Sequence, residues 1–142
     1  MTINKGGDDR VGQVDHIGIA IARLEDALAL YRDALGLSLD QVEEIPEQKL
    51  IAYHLRVGES HIELLSSTAP DSVIARFVEK NGPGIHHIAL AVEDFDAARR
   101  RLIEAGYQPI GEPSRGAGGK RIQFFHPKST GGVLLEICSR SE

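Results

Sequence analysis

One cysteine, one methionine and no tryptophan occur among the 142 residues of this chain. A lone thiol, Cys138, can form no disulfide within the chain, which predicts a reducing compartment, the cytosol. Cys138 adjoins the end of an apolar stretch and reads as a buried, inert thiol rather than a nucleophile. Positive charge is also in deficit: 16 Lys and Arg stand against 21 Asp and Glu, a formal net charge of −5. That balance leaves no footprint for nucleic acid or an anionic membrane surface. No apolar run approaches the roughly 18 residues of a membrane span, and Met1 to Gly12 is polar, which argues against a signal peptide. Three tyrosines and four phenylalanines are few for a cleft that binds by aromatic stacking.

What the chain does contain is a repeat. Asp15-His16-Ile17-Gly18-Ile19-Ala20-Ile21 and His86-His87-Ile88-Ala89-Leu90-Ala91-Val92 read almost alike, 71 residues apart. Each is followed about fifty residues later by an apolar segment carrying one carboxylate: His61-Ile62-Glu63-Leu64-Leu65 and Val133-Leu134-Leu135-Glu136-Ile137. Periodicity predicts a strand over 14–21, a helix over 24–35 stopped by Gly36, and strands over 37–45, 49–57 and 61–66. A linker helix is predicted from Asp71 as N-cap to Lys80, ending at Asn81-Gly82-Pro83-Gly84. The pattern then recurs: a strand over 85–92, a helix over 94–105, and strands near 107–110, 121–125 and 132–138. The expected fold is α+β, with two tandem β-α-β-β-β modules whose curved, half-open antiparallel sheet surrounds a metal site, helices outside. Residues 1–12 are expected to be a disordered tail. Residues 13–142 form one domain: module one over 13–67, a linker helix over 70–82 and module two over 84–138.

Side chains alternate across a strand, so His16 shares its face with Gly18 and Ala20, and His87 with Ala89 and Ala91. The opposite faces carry Ile17, Ile19 and Ile21, and Ile88, Leu90 and Val92, which suit packing under a helix. The small residues beside each histidine suggest space kept for a ligand. Glu63 and Glu136 face away from their aliphatic neighbours, and a carboxylate on an inner face needs a cation or a donor. Two imidazoles and two carboxylates, His16, Glu63, His87 and Glu136, make a mixed N/O donor set without thiolate. Such a set suits Co²⁺, Mn²⁺, Ni²⁺, Fe²⁺ or Zn²⁺ and leaves two octahedral positions open to a bidentate substrate. By the same alternation His86 points away from His87 and reads as structural. His61 reads as a solvated strand start, and His126 as a loop or substrate-edge residue.

These segments, with Pro46-Glu47-Gln48, Asp71-Ser72-Val73-Ile74-Ala75-Arg76-Phe77, Gly116-Ala117-Gly118-Gly119 and His126-Pro127-Lys128-Ser129, resemble the vicinal oxygen chelate superfamily. Within it the match is to the methylmalonyl-CoA epimerase family, over about residues 14–138. The resemblance implies metal ligands at His16, Glu63, His87 and Glu136, with cobalt the foremost metal. It also implies an acyl-CoA substrate, methylmalonyl-CoA, and a homodimer. It implies that Glu136 is a base for the α-proton, whose removal gives an enolate stabilised by the metal. Many members carry Gln where Glu63 stands. Some carry a second glutamate four residues after the Gln of the Pro-Glu-Gln segment, where this chain has Ala52. His54, on the same strand face, is the expected substitute acid/base, with Glu47 or a water as further options. The Ser114–Arg121 loop is expected near the acyl-CoA, with Lys120 and Arg121 offered to its phosphates. Two other readings use the same scaffold. A glyoxalase I-like lyase is disfavoured by His126-Pro127-Lys128-Ser129 before the final strand. A metal-free binding module of bleomycin-resistance type is disfavoured by the full ligand set and scarce aromatics.

Overall fold

A computed structural model describes residues 10–140. In chain order the elements are β1 (Val11–Ala20), α1 (Leu24–Leu28), β2 (Leu39–Ile45), β3 (Leu50–Val57), β4 (Ser60–Ser67), α2 (Val73–Asn81) and β5 (Gly84–Val92). Then follow α3 (Phe95–Glu104), β6 (Pro109–Arg115), β7 (Arg121–Phe125) and β8 (Leu135–Ser139). β1 begins at Val11, so Val11 and Gly12 belong to the sheet and not to the expected tail, of which residues 1–9 lie outside the described ones.

The eight strands form one sheet in the order β2-β3-β4-β1-β5-β8-β7-β6. Each module contributes four neighbouring strands, and the modules join where β1 pairs antiparallel with β5. The sheet is mixed, which corrects the antiparallel expectation: β1 pairs parallel with β4, and β5 with β8. The reason is parity. One helical crossover and a three-strand meander return the chain beside its first strand running in the same direction.

The strands bury the faces that alternation assigns. Ile19 and Ile21 pack with Leu28, Leu55 and Leu64 beneath α1, while Val92 packs with Phe95, Ala98, Phe125 and Ile137 beneath α3. The helix predicted over 24–35 is α only to Leu28 and continues as a π-helical stretch, Ala29–Ala34. Its i→i+5 pattern includes the Leu35 N–H to Leu30 O bond. The wider turn rotates Leu35 off the buried face, leaving it 61% exposed where the regular spacing predicts burial. α2 is capped by Ser72 and not by Asp71: the Ser72 hydroxyl accepts the Ala75 N–H at 2.9 Å. A hydroxyl in this position contributes about 1 kcal/mol. Asp71 instead takes Lys49 Nζ at 2.5 Å. Among the described residues no helix is long and apolar enough to cross a membrane.

Candidate metal centre

Joining the modules through their first strands places the two histidines together. Gly18 pairs with His87 and His16 with Ala89 across the β1/β5 seam. Each imidazole therefore lies opposite a small residue of the other module. A Cβ built at Gly18 would stand 2.2 Å from His87 Cε1, so only glycine admits this ring. At Gly18 the room is thus taken by the His87 ring, and Ala20 and Ala91 pack in apolar clusters, so these small residues do not themselves reserve space for a ligand.

His16 Nε2 and His87 Nε2 stand 3.1 Å apart. Glu136 Oε1 lies 3.5 Å from the first and 3.2 Å from the second. β8 delivers this carboxylate because Glu136 pairs with Ala89 on one side and Phe124 on the other. His16, His87 and Glu136 are all buried, and their ligand atoms lie close enough to hold one ion. Glu63, also buried, is brought alongside by β4 opposite Gly18. Its Oε2 faces the other ring nitrogen, 3.3 Å from His16 Nδ1. The two Nε2 atoms facing each other across the Glu136 carboxylate fit a divalent cation of mixed N/O preference, whereas Glu63 groups with Asp15 on the Nδ1 side of the His16 ring and would have to turn to join them.

The electrostatics are those of acceptors competing for protons. Burial alone would lower the His16 pKa, but bonds to Asp15 and Glu136 and the charge of Glu63 overturn it and raise the value to about 10. Burial alone would raise Glu136, yet His16 and His87 hold its carboxyl down at about 2. A cation would compensate the same carboxylates that now draw protons onto His16.

Two neighbours of the ligands escape the alternation argument. The β1/β5 register slips between Val14 and His16, and again between His87 and Ile85. Such bulges turn a side chain out of its alternating position. Asp15 thereby reaches His16, Oδ2 to Nδ1 at 2.8 Å, and His86 reaches His87, Nδ1 to Nδ1 at 2.9 Å. His86 lines the cavity, contrary to the expectation that it points away from His87. Burial and the neighbouring His87 push its pKa down to about 4. A polar residue directly before each repeated histidine is the signal in the sequence that marks both.

Other expected residues fall elsewhere. His54 is buried and is absent from the cavity wall; its Nδ1 lies 3.5 Å from Glu63 Oε2 and its Nε2 3.3 Å from Glu43 Oε1. Ala52, fully buried, pairs with Glu43 and Leu65. Glu47 does line the cavity. Lys120 and Arg121 are committed to partners inside the protein: Lys120 to Asp15 at 2.6 Å, and Arg121 to Asp96 at 2.8 Å while lying over the Phe95 ring. Arg99, on α3, donates to Gln123 Oε1 at 2.7 Å. His126 accepts the Lys128 N–H through Nδ1, and His61 faces Asp40. Cys138 is fully buried, and burial pushes its thiol pKa up.

The four ligand-type residues lie on the wall of a cavity of about 620 Å³, a size typical of small-molecule sites. Its apolar lining includes Leu50, Leu65, Ile110, Ile122, Phe124 and Leu134. Lys49 and Arg76 supply its cations. Lys49 is the one non-glycine residue with positive φ among the described residues, at 57°.

Comparison with known proteins places these features in a family. Residues 13–137 match the model of the Glyoxalase/Bleomycin resistance protein/Dioxygenase superfamily. The chain is 42% identical over 130 residues to the ethylmalonyl-CoA/methylmalonyl-CoA epimerase of Cereibacter sphaeroides, covering 89% of this chain and 97% of the relative. Its fold superposes on the crystal structure of methylmalonyl-CoA epimerase from Mycobacterium tuberculosis with a TM-score of 0.88, at 38% identity, covering 96% and 93% of the two chains. A methylmalonyl-CoA epimerase in complex with methylmalonyl-CoA and NH4+ gives a TM-score of 0.85, at 35% identity, covering 91% and 94%.

Proposed function

This chain belongs to the Glyoxalase/Bleomycin resistance protein/Dioxygenase superfamily, and from that premise we propose that it interconverts the 2R and 2S epimers of methylmalonyl-CoA with the help of a divalent metal ion. The observation that carries the reading is Glu136 Oε1 within 3.5 Å of both imidazole nitrogens, on the wall of a cavity. The kinship with proteins named for this activity supports it.

His16, His87 and Glu136 would hold the ion, joined by Glu63 once its carboxylate turns from the Nδ1 side of His16, with Co²⁺ foremost and Mn²⁺, Ni²⁺, Zn²⁺ or Fe²⁺ as alternatives. When bound, such an ion supplies Lewis-acid stabilisation, worth several kcal/mol, of the charge that develops on a thioester oxygen as the α-proton departs. The chain's own residues do the rest. Glu136 is held ionised and takes the α-proton from one face of the substrate. A carboxylate held this low is a weak base, so the substrate must be made more acidic where it binds. The apolar wall from Leu65 to Leu134 seats the methyl branch and keeps bulk water from the reacting carbon. For the opposite face, Glu47 is a further cavity-lining carboxylate: unlike Glu63 it has no proposed ligand role, and unlike Asp71 it is not the partner of Lys49. His54 acts through Glu63 as a positioning residue. Lys49 and Arg76, at the cavity, take the part in meeting the phosphates that the sequence offers to Lys120 and Arg121. The active form is a homodimer, and sedimentation showing only monomer would contradict that part.

The direct test supplies each epimer of methylmalonyl-CoA separately to purified, metal-loaded protein. Both reactions should approach the same equilibrium mixture. No conversion with any of the five metals rejects the reading, as does faster turnover of a glutathione hemithioacetal.

A further inference from the structure

Lys120 ends a glycine-rich loop that belongs to module two, yet its ammonium sits beside β1 of module one. Its Nζ lies 2.6 Å from Asp15 Oδ1, and Asp15 Oδ2 lies 2.8 Å from His16 Nδ1. All three groups are shielded, with side-chain exposures of 30%, 14% and 7%. The same loop is held at a second point, where the Gly118 N–H donates to Glu43 Oε1 at 3.0 Å. Just before these anchors, Gly116 and Ala117 form part of the cavity wall. The loop is therefore both a wall of the cavity and the far end of a chain of bonds leading to a ligand.

Asp15, His16 Nδ1 and Glu63 could be read as a second place for a metal. Lys120 argues against that, because its ammonium already stands as the cation against Asp15. A histidine that binds metal through Nε2 must donate its Nδ1–H, and the nearer acceptor here is Asp15 at 2.8 Å, against 3.3 Å for Glu63. An aspartate with two conformational freedoms holds an imidazole firmly only if its other oxygen is also fixed. Lys120 fixes it.

We propose that Lys120 is a positioning residue for the metal centre: through Asp15 it sets the His16 ring, and it thereby makes the closed position of the 116–120 loop and the binding of metal mutually dependent. This rests on the metal-centre reading above. Coupling of this kind is reciprocal, so metal should steady the loop by the same factor by which the loop's anchor improves metal binding.

The test uses full-length protein, Co²⁺ titration by calorimetry, and hydrogen exchange of the loop amides with and without Co²⁺. Partners behind a metal ligand typically change affinity by about 10- to 100-fold. Lys120→Met should weaken Co²⁺ binding within that range, and Lys120→Arg should restore most of it. In the wild type Co²⁺ should slow exchange over 116–120, and in Lys120→Met and Asp15→Asn that slowing should vanish. Circular dichroism confirms that each variant is folded; should Lys120→Met fail to fold, Lys120→Gln takes its place. Wild-type Co²⁺ affinity in Lys120→Met, or loop exchange indifferent to Co²⁺ in the wild type, overturns this inference and leaves the epimerase reading standing. Wild-type protein that takes up no divalent metal overturns both. None of these readouts depends on turnover.

Discussion

The two modules present the same imidazole from the same bulged strand, and they back it with opposite chemistry. Behind His16 stands a carboxylate, Asp15, 2.8 Å from Nδ1. Behind His87 stands a neutral imidazole, His86, itself packed edge-on against Phe77, while Phe124 meets the His87 ring at 5.2 Å between centroids. Ligand position thus follows from the duplicated fold, whereas the character of each ligand is set by its nearest neighbours. An imidazole that donates to an anion becomes a stronger electron donor to a metal than one that meets a neutral ring. His16 is accordingly the half of the pair backed by a charged group, and His87 the half held by shape.

The comparison can be broken most severely at the residue that both halves share. Glu136→Gln keeps the shape but removes the base, and should lower epimerisation by about a thousandfold with the fold intact. Near-native turnover would remove Glu136 from the mechanism. Next is the seam itself. Gly18→Ala puts a Cβ into the His87 ring and should cost about 1–3 kcal/mol of stability in denaturant melts, together with most of the Co²⁺ affinity. The mirror change, Ala89→Gly opposite His16, should leave metal binding within a few-fold of wild type. Equal losses at the two positions would contradict the claim that shape acts on His87 alone.

A third pair sharpens the contrast of backing groups. Asp15→Asn removes the anion behind His16 and should weaken Co²⁺ binding by about 10- to 100-fold, whereas His86→Gln should weaken it by less than about tenfold. The reverse order would mean that the charge sits on the other module. A smaller effect is expected from His54→Ala, because His54 reaches the site only through Glu63: a loss of about tenfold or less in kcat, with Glu47→Gln losing more. An abolished reaction in His54→Ala with Glu47→Gln unaffected would return the second proton transfer to His54. Smallest of all, Cys138 should resist an aromatic disulfide reagent in the native state and react only on unfolding, since it is fully buried with a raised thiol pKa.

How much of this was legible in the sequence divides along physical lines. Period-two and helical patterns located most strands and helices to within a few residues, because those patterns record which face is buried; β6 runs on to Arg115, past its expected end at 110, and the first helix is α only to Leu28. The same alternation placed His16, Glu63, His87 and Glu136 on inner faces, and of these His16, His87 and Glu136 come together while Glu63 stands on the other side of the His16 ring. Three things were hidden. A bulge adds one residue without changing composition, so alternation turns His86 away from the His87 ring that it touches. The π-helical turn after Leu28 likewise leaves no mark on spacing, and it leaves Leu35 exposed where a regular helix would bury it. Contacts between modules, such as Lys120 with Asp15 and Gly118 with Glu43, join residues 105 and 75 apart, which no local pattern can pair. Gly18 carries the plainest lesson: its smallness reads as room for a ligand, and the room belongs to His87.

The central claim is that His16, Glu63, His87 and Glu136 form a metal centre that makes the α-proton of methylmalonyl-CoA labile. Deuterium uptake at that carbon in D₂O, followed by mass spectrometry with chelator-stripped and Co²⁺-reloaded protein, tests it most directly. The account predicts no uptake above background for the stripped protein and full recovery on reloading. Uptake undiminished after stripping, or absent with every divalent metal, would contradict it.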